Sequence, residues 1–223
     1  MKASLIKILE KNKIFETIKK DLLNLAEKSI KKRGKFSIVL TGGNSIYGLY
    51  RLLSIQKINF KRWKFFITDE RNYPLDSRER NDSFIRKTLF RRKKLISKNV
   101  IFFKPELGLD TARSVYERKI KGTRFDLVLL SVGEDGHVAS LFSNKKNKFN
   151  SNVIIERNSP KLPKERISLS LKALNNSENI FKLIIGKSKK KVVKKILNNN
   201  KNIIANKIIG DKEVIYIEKK LIY

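Results

Sequence analysis

The segment Phe125–Ser131 (FDLVLLS) constrains the fold more than any other part of the chain. It is a short apolar run, and it reads as a buried strand. Similar runs recur along the sequence: Phe36–Leu40, Trp63–Ile67, residues 99–103 and residues 180–185, with an alternating segment at 166–171, and residues 213–217 are expected to close the sheet. Between them lie stretches with helical spacing. Ile14, Ile18, Leu22 and Leu25 mark the first, widened by Phe15, Leu23, Ala26 and Ile30, with Gly34 as its stop. Ile46, Leu49, Tyr50 and Leu53 mark a second, residues 81–90 a third, Ala112, Val115, Tyr116 and Ile120 a fourth, and residues 188–197 a fifth. Strands alternating with helices predict an α/β fold: a mostly parallel sheet with helices on both faces. No proline- or glycine-rich linker divides the chain, so residues 1–223 are expected to form a single domain.

Composition narrows the function classes. There is no cysteine, which removes disulfides, thiolate catalysis and cysteine-ligated metals together. No run of 18 apolar residues predicts a membrane span. The start does not resemble a secretory signal, so a cytoplasmic location is expected. The formal charge of +31 has two readings. Clustered Lys and Arg can mark a nucleic-acid surface, whereas a lysine-, isoleucine- and asparagine-rich composition spreads charge without a patch. The second fits better, because lysines run from end to end and no arginine–aromatic stacking patch is present. A field of this sign draws in phosphorylated ligands.

Parallel strands deliver the loops that follow them to one edge of the sheet, and four such loops carry polar chemistry. Thr41-Gly42-Gly43-Asn44-Ser45 follows the first strand. Its adjacent glycines let main-chain N–H groups approach an anion at a helix start, although an ordinary strand-to-helix turn looks the same. Asp69-Glu70-Arg71 ends the next strand and offers two acids with a forked cation, or a solvated salt-bridged turn. After the central strand, Gly133-Glu134-Asp135-Gly136-His137 holds the only histidine of the chain, the one side chain that ordinarily trades a proton near neutral pH. Asp135 either orients that imidazole or bonds its own turn. Residues 138–142 read as a packed helical turn, and the polar stretch 144–152 as a solvated loop. Gly186-Lys187-Ser188-Lys189 ends a late strand, with lysines where a helix start disfavours cations unless an anion is near. Arg166, entering a strand, is a further candidate cation.

Taken together these blocks resemble the 6-phosphogluconolactonase family, within the wider group that includes the glucosamine-6-phosphate deaminases. Residues 40–45, 65–71 with Asn81, 125–142, 159–169 and 186–189 are similar to its blocks in order, over about residues 36–197. The chain departs from the family pattern in three places. Asn44-Ser45-Ile46 stands where Ser-Thr-Pro is usual, Ser143-Asn144 follows Phe142 in place of Pro-Gly, and Arg80 replaces the serine before Asn81.

The resemblance implies a Rossmann-like sheet and hydrolysis of 6-phosphogluconolactone to 6-phosphogluconate, a step of carbohydrate metabolism in the oxidative pentose phosphate pathway. It implies no cofactor and no metal. The partner is the sugar-phosphate lactone, with no specific nucleic acid and no membrane, and the enzyme is a monomer or homodimer. In that reading His137 takes a proton from water, and Arg71 stabilises the oxyanion. Gly42, Gly43, Asn44, Ser45, Arg166 and Lys189 grip the phosphate, and Asp69 and Asp135 orient sugar hydroxyls or the histidine. An aminosugar-phosphate deaminase or isomerase ranks second, because such enzymes pair the histidine with a glutamate a few residues on and residues 138–147 hold no carboxylate. A basic nucleic-acid-binding protein on the same scaffold is the third reading.

Overall fold

A computed structural model describes residues 4–91, 99–143 and 150–222. Seven strands form one sheet in the order β1-β10-β9-β6-β2-β3-β5, and all six pairings are parallel. They are β1 (Ser4–Leu9), β2 (Phe36–Leu40), β3 (Trp63–Ile67), β5 (Val100–Ile101), β6 (Phe125–Ser131), β9 (Ser177–Ile184) and β10 (Lys212–Glu218). Helices α1 (Lys11–Arg33), α2 (Tyr47–Ile55), α3 (Asn81–Thr88), α4 (Leu109–Ile120), α5 (Leu171–Asn175) and α6 (Lys190–Leu197) pack around it. The α/β architecture and the parallel sheet thus stand as expected, with β6 in the centre. Leu127, Val128, Leu129 and Leu130 are all fully buried, which is why that stretch of the strand is apolar on both faces.

Helix α1 shows how the sequence pattern becomes packing. Ile14, Ile18, Leu22 and Ala26, each four residues apart, are its buried stripe. Its last turn carries Lys31, Lys32 and Arg33, and Gly34 closes it at φ 73°.

The strand order places the site. From β2 the chain steps outward to β3 and β5, then returns to β6 on the other side of β2 and continues to β9 and β10. The direction of winding therefore reverses between β2 and β6. Their carboxyl ends diverge there and open a crevice, the usual ligand position in such sheets.

Four expectations change. The sheet has a further strand that the sequence pattern did not show: β1 pairs with β10 in parallel and forms the edge. A lysine within a six-residue strand whose residues are exposed or half-buried leaves little periodic signal there. Residues 69–71 are a short strand, β4 (Asp69–Arg71), not a free loop. It joins β7 (Val153–Glu156) and β8 (Arg166–Leu169) in a separate antiparallel sheet, order β4-β8-β7, so residues 166–169 do not belong to the main sheet. Residues 138–142 are not helical. A turn closes from Leu141 N–H to the Val138 carbonyl at 3.0 Å, with Ala139 at φ 51°. Burial of Val138, Leu141 and Phe142 fixes its shape instead of a helical ladder. Of the polar stretch 144–152, residues 144–149 lie outside the described residues, and Asn152 is anchored by its N–H on Glu117 Oε1 at 2.8 Å.

Candidate active site

A cavity of about 330 Å³ opens at the crevice between β2 and β6, within the range of small-ligand sites. Thr41, Gly42, Gly43, Asn44 and Ser45 line it from the end of β2, Asp69 and Arg71 from β4, and Ser131, Gly133, Glu134 and His137 from beyond β6. Lys161, Leu162 and Arg166 come from the approach to β8, and Ser188 and Lys189 from the turn after β9. Nine of the ten residues singled out from the sequence therefore meet in one cavity; the tenth, Asp135, stands behind the histidine. Asn81, Lys161 and Ala139 also line it. Asn81 and Lys161 sit inside sequence blocks already noticed, but as a polar side chain at a helix start and one lysine among many they carried no separate signal.

His137 is set by its own turn. Asp135 Oδ1 accepts from the His137 main-chain N–H at 3.3 Å and contacts Nδ1 of the ring. With a carboxylate at Nδ1, the proton of the neutral ring belongs there, and Nε2 is left with a lone pair. Both readings of Asp135 hold at once, since it orients the ring and caps its turn. Burial pushes the Asp135 carboxyl up. The hydrogen bond and charge of His137 outweigh this and hold it well below the usual carboxylate range. Gly133 is required by contact: a Cβ there would overlap Cε1 and Nδ1 of the imidazole.

The β2 loop is tied to both neighbours. The Ser45 hydroxyl donates to the Ile185 carbonyl at 3.3 Å, and Tyr50 donates to the Thr41 carbonyl at 2.6 Å. Residues 44–46 form a single tight helical turn leading into α2, so the first N–H groups there have no intrahelical partner and are available to an anion. Gly42 packs against the Asn81 amide so closely that a Cβ would overlap Asn81 Oδ1 and Cγ.

Two buried polar atoms belonging to lining residues lack a hydrogen-bond partner: Nε of Arg71, a donor, and Oδ1 of Asn81, an acceptor. Such orphans in a native fold call for an explanation, and a polar ligand supplies one. Arg71 Nη1 is held by the Glu79 carbonyl. Asn81 Nδ2 donates to the Asp69 carbonyl at 2.8 Å and to Asp69 Oδ1 at 3.3 Å. Asp69 is fixed further by the hydroxyls of Thr68 at 2.8 Å and Ser140 at 2.7 Å. Its carboxylate makes no bond to the imidazole, so of the two proposed orienting acids only Asp135 touches His137.

The cations differ in freedom. Lys189 Nζ donates to the Val132 carbonyl at the end of β6. Burial and the charge of Lys161 lower its pKa, against the raising effect of Glu134 and Asp135. Arg166 is buried and spends Nε and Nη2 on the carbonyls of Pro163, Lys161 and Leu162 at 2.8–3.1 Å. It shapes the loop that carries Lys161, and burial lowers its pKa. Lys161 is more exposed and pairs with Glu134 at 3.4 Å.

Comparison with known proteins points to one family. The family model for glucosamine-6-phosphate isomerases/6-phosphogluconolactonase matches residues 10–215. The chain belongs to this family. Among its members, a 6-phosphogluconolactonase of Thermotoga maritima is 36% identical over 193 residues, covering 85% of this chain and 86% of that protein. One of Borreliella burgdorferi is 35% identical over 180 residues, covering 75% of each. The crystal structure of a 6-phosphogluconolactonase from Thermotoga maritima superposes with a TM-score of 0.89 at 32% identity, covering 97% of this chain and 100% of that one. A monomeric glucosamine-6-phosphate deaminase shares the fold alone, at 18% identity and a TM-score of 0.79. No helix among the described residues is long and apolar enough to cross a membrane.

Proposed function

We propose that this chain hydrolyses 6-phosphogluconolactone to 6-phosphogluconate, with His137 as general base and residues 1–223 acting as one domain. The observation that carries the reading is the meeting of an oriented imidazole, a guanidinium with an unpartnered Nε and an anion-ready loop in one small cavity. Nε2 of His137 takes a proton from water as the water oxygen bonds to the lactone carbonyl carbon. The carbonyl oxygen becomes an oxyanion, stabilised by Arg71. When the intermediate collapses, the bond to the ring oxygen breaks and the imidazolium returns its proton to that oxygen. The product is an open-chain acid with a free hydroxyl. Asp135 keeps the ring in the competent tautomer and offsets the imidazolium charge. The N–H groups of residues 42–45, with Lys189 and Arg166, receive the phosphate, and Asp69 accepts from a sugar hydroxyl.

A lactone is an activated ester, so one positioned proton carrier, contributing about 10²–10⁴-fold, together with oxyanion stabilisation suffices for the chemistry. The carboxylates lining the cavity are Asp69 and Glu134, and Glu134 pairs with Lys161. Neither is placed against the histidine as a second proton carrier, and the aminosugar reaction therefore ranks below. Proton release from freshly prepared 6-phosphogluconolactone, corrected for spontaneous opening, tests the reading beside ammonia release from glucosamine 6-phosphate. One proton per lactone without ammonia is expected; ammonia release, or a rate equal to the blank, overturns it.

A further inference from the structure

We propose that Glu70, which does not itself line the cavity, is the positioning residue for the lactonase site: one buried carboxylate gathers three main-chain N–H groups and so sets where Arg71 and Asn81 stand. The inference rests on the reading of the cavity as a lactonase site. Strand alternation supplies the starting point. Along β4, Asp69 and Arg71 line the cavity, while Glu70 points to the opposite side and is fully buried. Its Oε1 accepts from Arg71 N–H at 2.8 Å and Asn81 N–H at 2.7 Å, and its Oε2 from Asp82 N–H at 2.8 Å. Two of those N–H groups belong to residues that carry the orphaned polar atoms of the cavity. Ten residues apart in the chain, Arg71 and Asn81 are held together through this single side chain.

The clamp also fills a helix start. α3 begins at Asn81, and its preceding residue, Arg80, offers no side-chain cap. Glu70 reaches across from β4 and accepts the first N–H groups itself, where negative charge is favoured. From there Asn81 extends its amide to Asp69 and to the face of Gly42. One anchor therefore reaches the oxyanion cation, the sugar-binding acid Asp69 and the phosphate loop.

The charged groups around Glu70 are few. From the start of α3, Asp82 raises its pKa and Arg80 stands as counter-charge. Arg80 pairs with both oxygens of Asp82 at 3.0 and 3.1 Å and with Glu106, from the turn before α4, at 2.9 Å. On β4 itself Asp69 and Arg71 face the other way, toward Arg166 of the adjacent β8. Burial and Asp82 push the Glu70 carboxyl up to about 7 against the pull of its three N–H donors.

Because His137 is the only histidine, the His137→Ala variant removes the one other side chain that ordinarily titrates in that range. In that variant, the amide ¹H–¹⁵N resonances of Arg71, Asn81 and Asp82 are followed from pH 5 to 8.5. They are expected to move together with one common midpoint. In parallel, kcat and KM are measured for Glu70→Gln in the otherwise native chain. That variant puts an NH₂ donor against N–H donors at nearly constant volume, and kcat is expected to fall at least tenfold with a smaller change in KM. Titration of the three amides at separate midpoints overturns the proposal, whether or not Glu70→Gln folds. So does a folded Glu70→Gln whose kcat is within twofold of the native enzyme. If the native chain has no lactonase activity, the function reading fails, while the amide titration still decides whether Glu70 holds the two residues.

Discussion

Asp135 and Glu70 are carboxylates just behind the cavity, one on each side of it, and their surroundings drive them in opposite directions. Asp135 lies in a turn, 47% exposed, with an imidazole against it. Glu70 lies under a helix start, fully buried, with another carboxylate nearby. The first is held ionised far below the usual range by its partner. The second is pushed up to about 7 by loss of water and by Asp82. The same functional group serves the β6 side as a fixed charge that orients an imidazole, and the β4 side as an anchor for main-chain donors. What a carboxylate does here is set by burial and neighbours, not by its distance from the cavity.

The comparison is broken most directly by exchanging contact for space. Gly133→Ala drives a methyl group into the His137 ring. Turnover is expected to fall 10²-fold or more while the fold is retained, since misplacing a catalytic group by about an ångström costs that much. A kcat within threefold of native would show that the ring is not held by that contact. Asp135→Asn removes the charge but not the volume. Loss of an orienting partner of a histidine is expected to lower kcat about 10- to 100-fold. Its effect on the thermal midpoint should be small, because an exposed pair contributes little to stability.

The two acids also differ in how stability follows pH. The folded-state pKa of Glu70 lies above its ordinary value. Its contribution is therefore fully present below that ordinary value and is lost as pH rises through about 7. Asp135 runs the other way, stabilising above its ordinary value and losing that contribution only on strong acidification. Chemical denaturation of the native chain against Glu70→Gln between pH 5 and 7 should show the native chain losing ground as pH rises, by on the order of 1 kcal/mol per pH unit. A gap independent of pH would contradict the assignment. The smallest effect is expected at Lys161, which lines the cavity from a partly exposed position. Lys161→Ala should raise KM severalfold with little change in kcat, and an equal fall in kcat would place that lysine in the chemistry.

Much of this was legible in the sequence for a stated reason. β6 announced itself because burial on both faces leaves residues 127–130 wholly apolar, and the loops after β2, β6 and β9 followed from the rule that parallel strands share an outlet. β1 stayed hidden because an exposed edge strand needs no apolar alternation. The antiparallel sheet was missed because three- and four-residue strands are too short to show a period. Asp69-Glu70-Arg71 read as one polar turn because nothing in the sequence showed that residues 69–71 lie on a strand, which sends Glu70 away from its neighbours. Asn81 was noticed only as part of a block. Its reach to Asp69 and Gly42 depends on where α3 starts, and Glu70 fixes that start across a gap of eleven residues.

Whether these loops act as one site around His137 is tested most directly by hydrolysis of fresh 6-phosphogluconolactone by His137→Ala, with the spontaneous rate subtracted and folding checked. The expected kcat is about 10²–10⁴-fold below the native value, with affinity for the stable product 6-phosphogluconate largely kept, because the phosphate loop and Lys189 are untouched. Native-like turnover by that variant would contradict it.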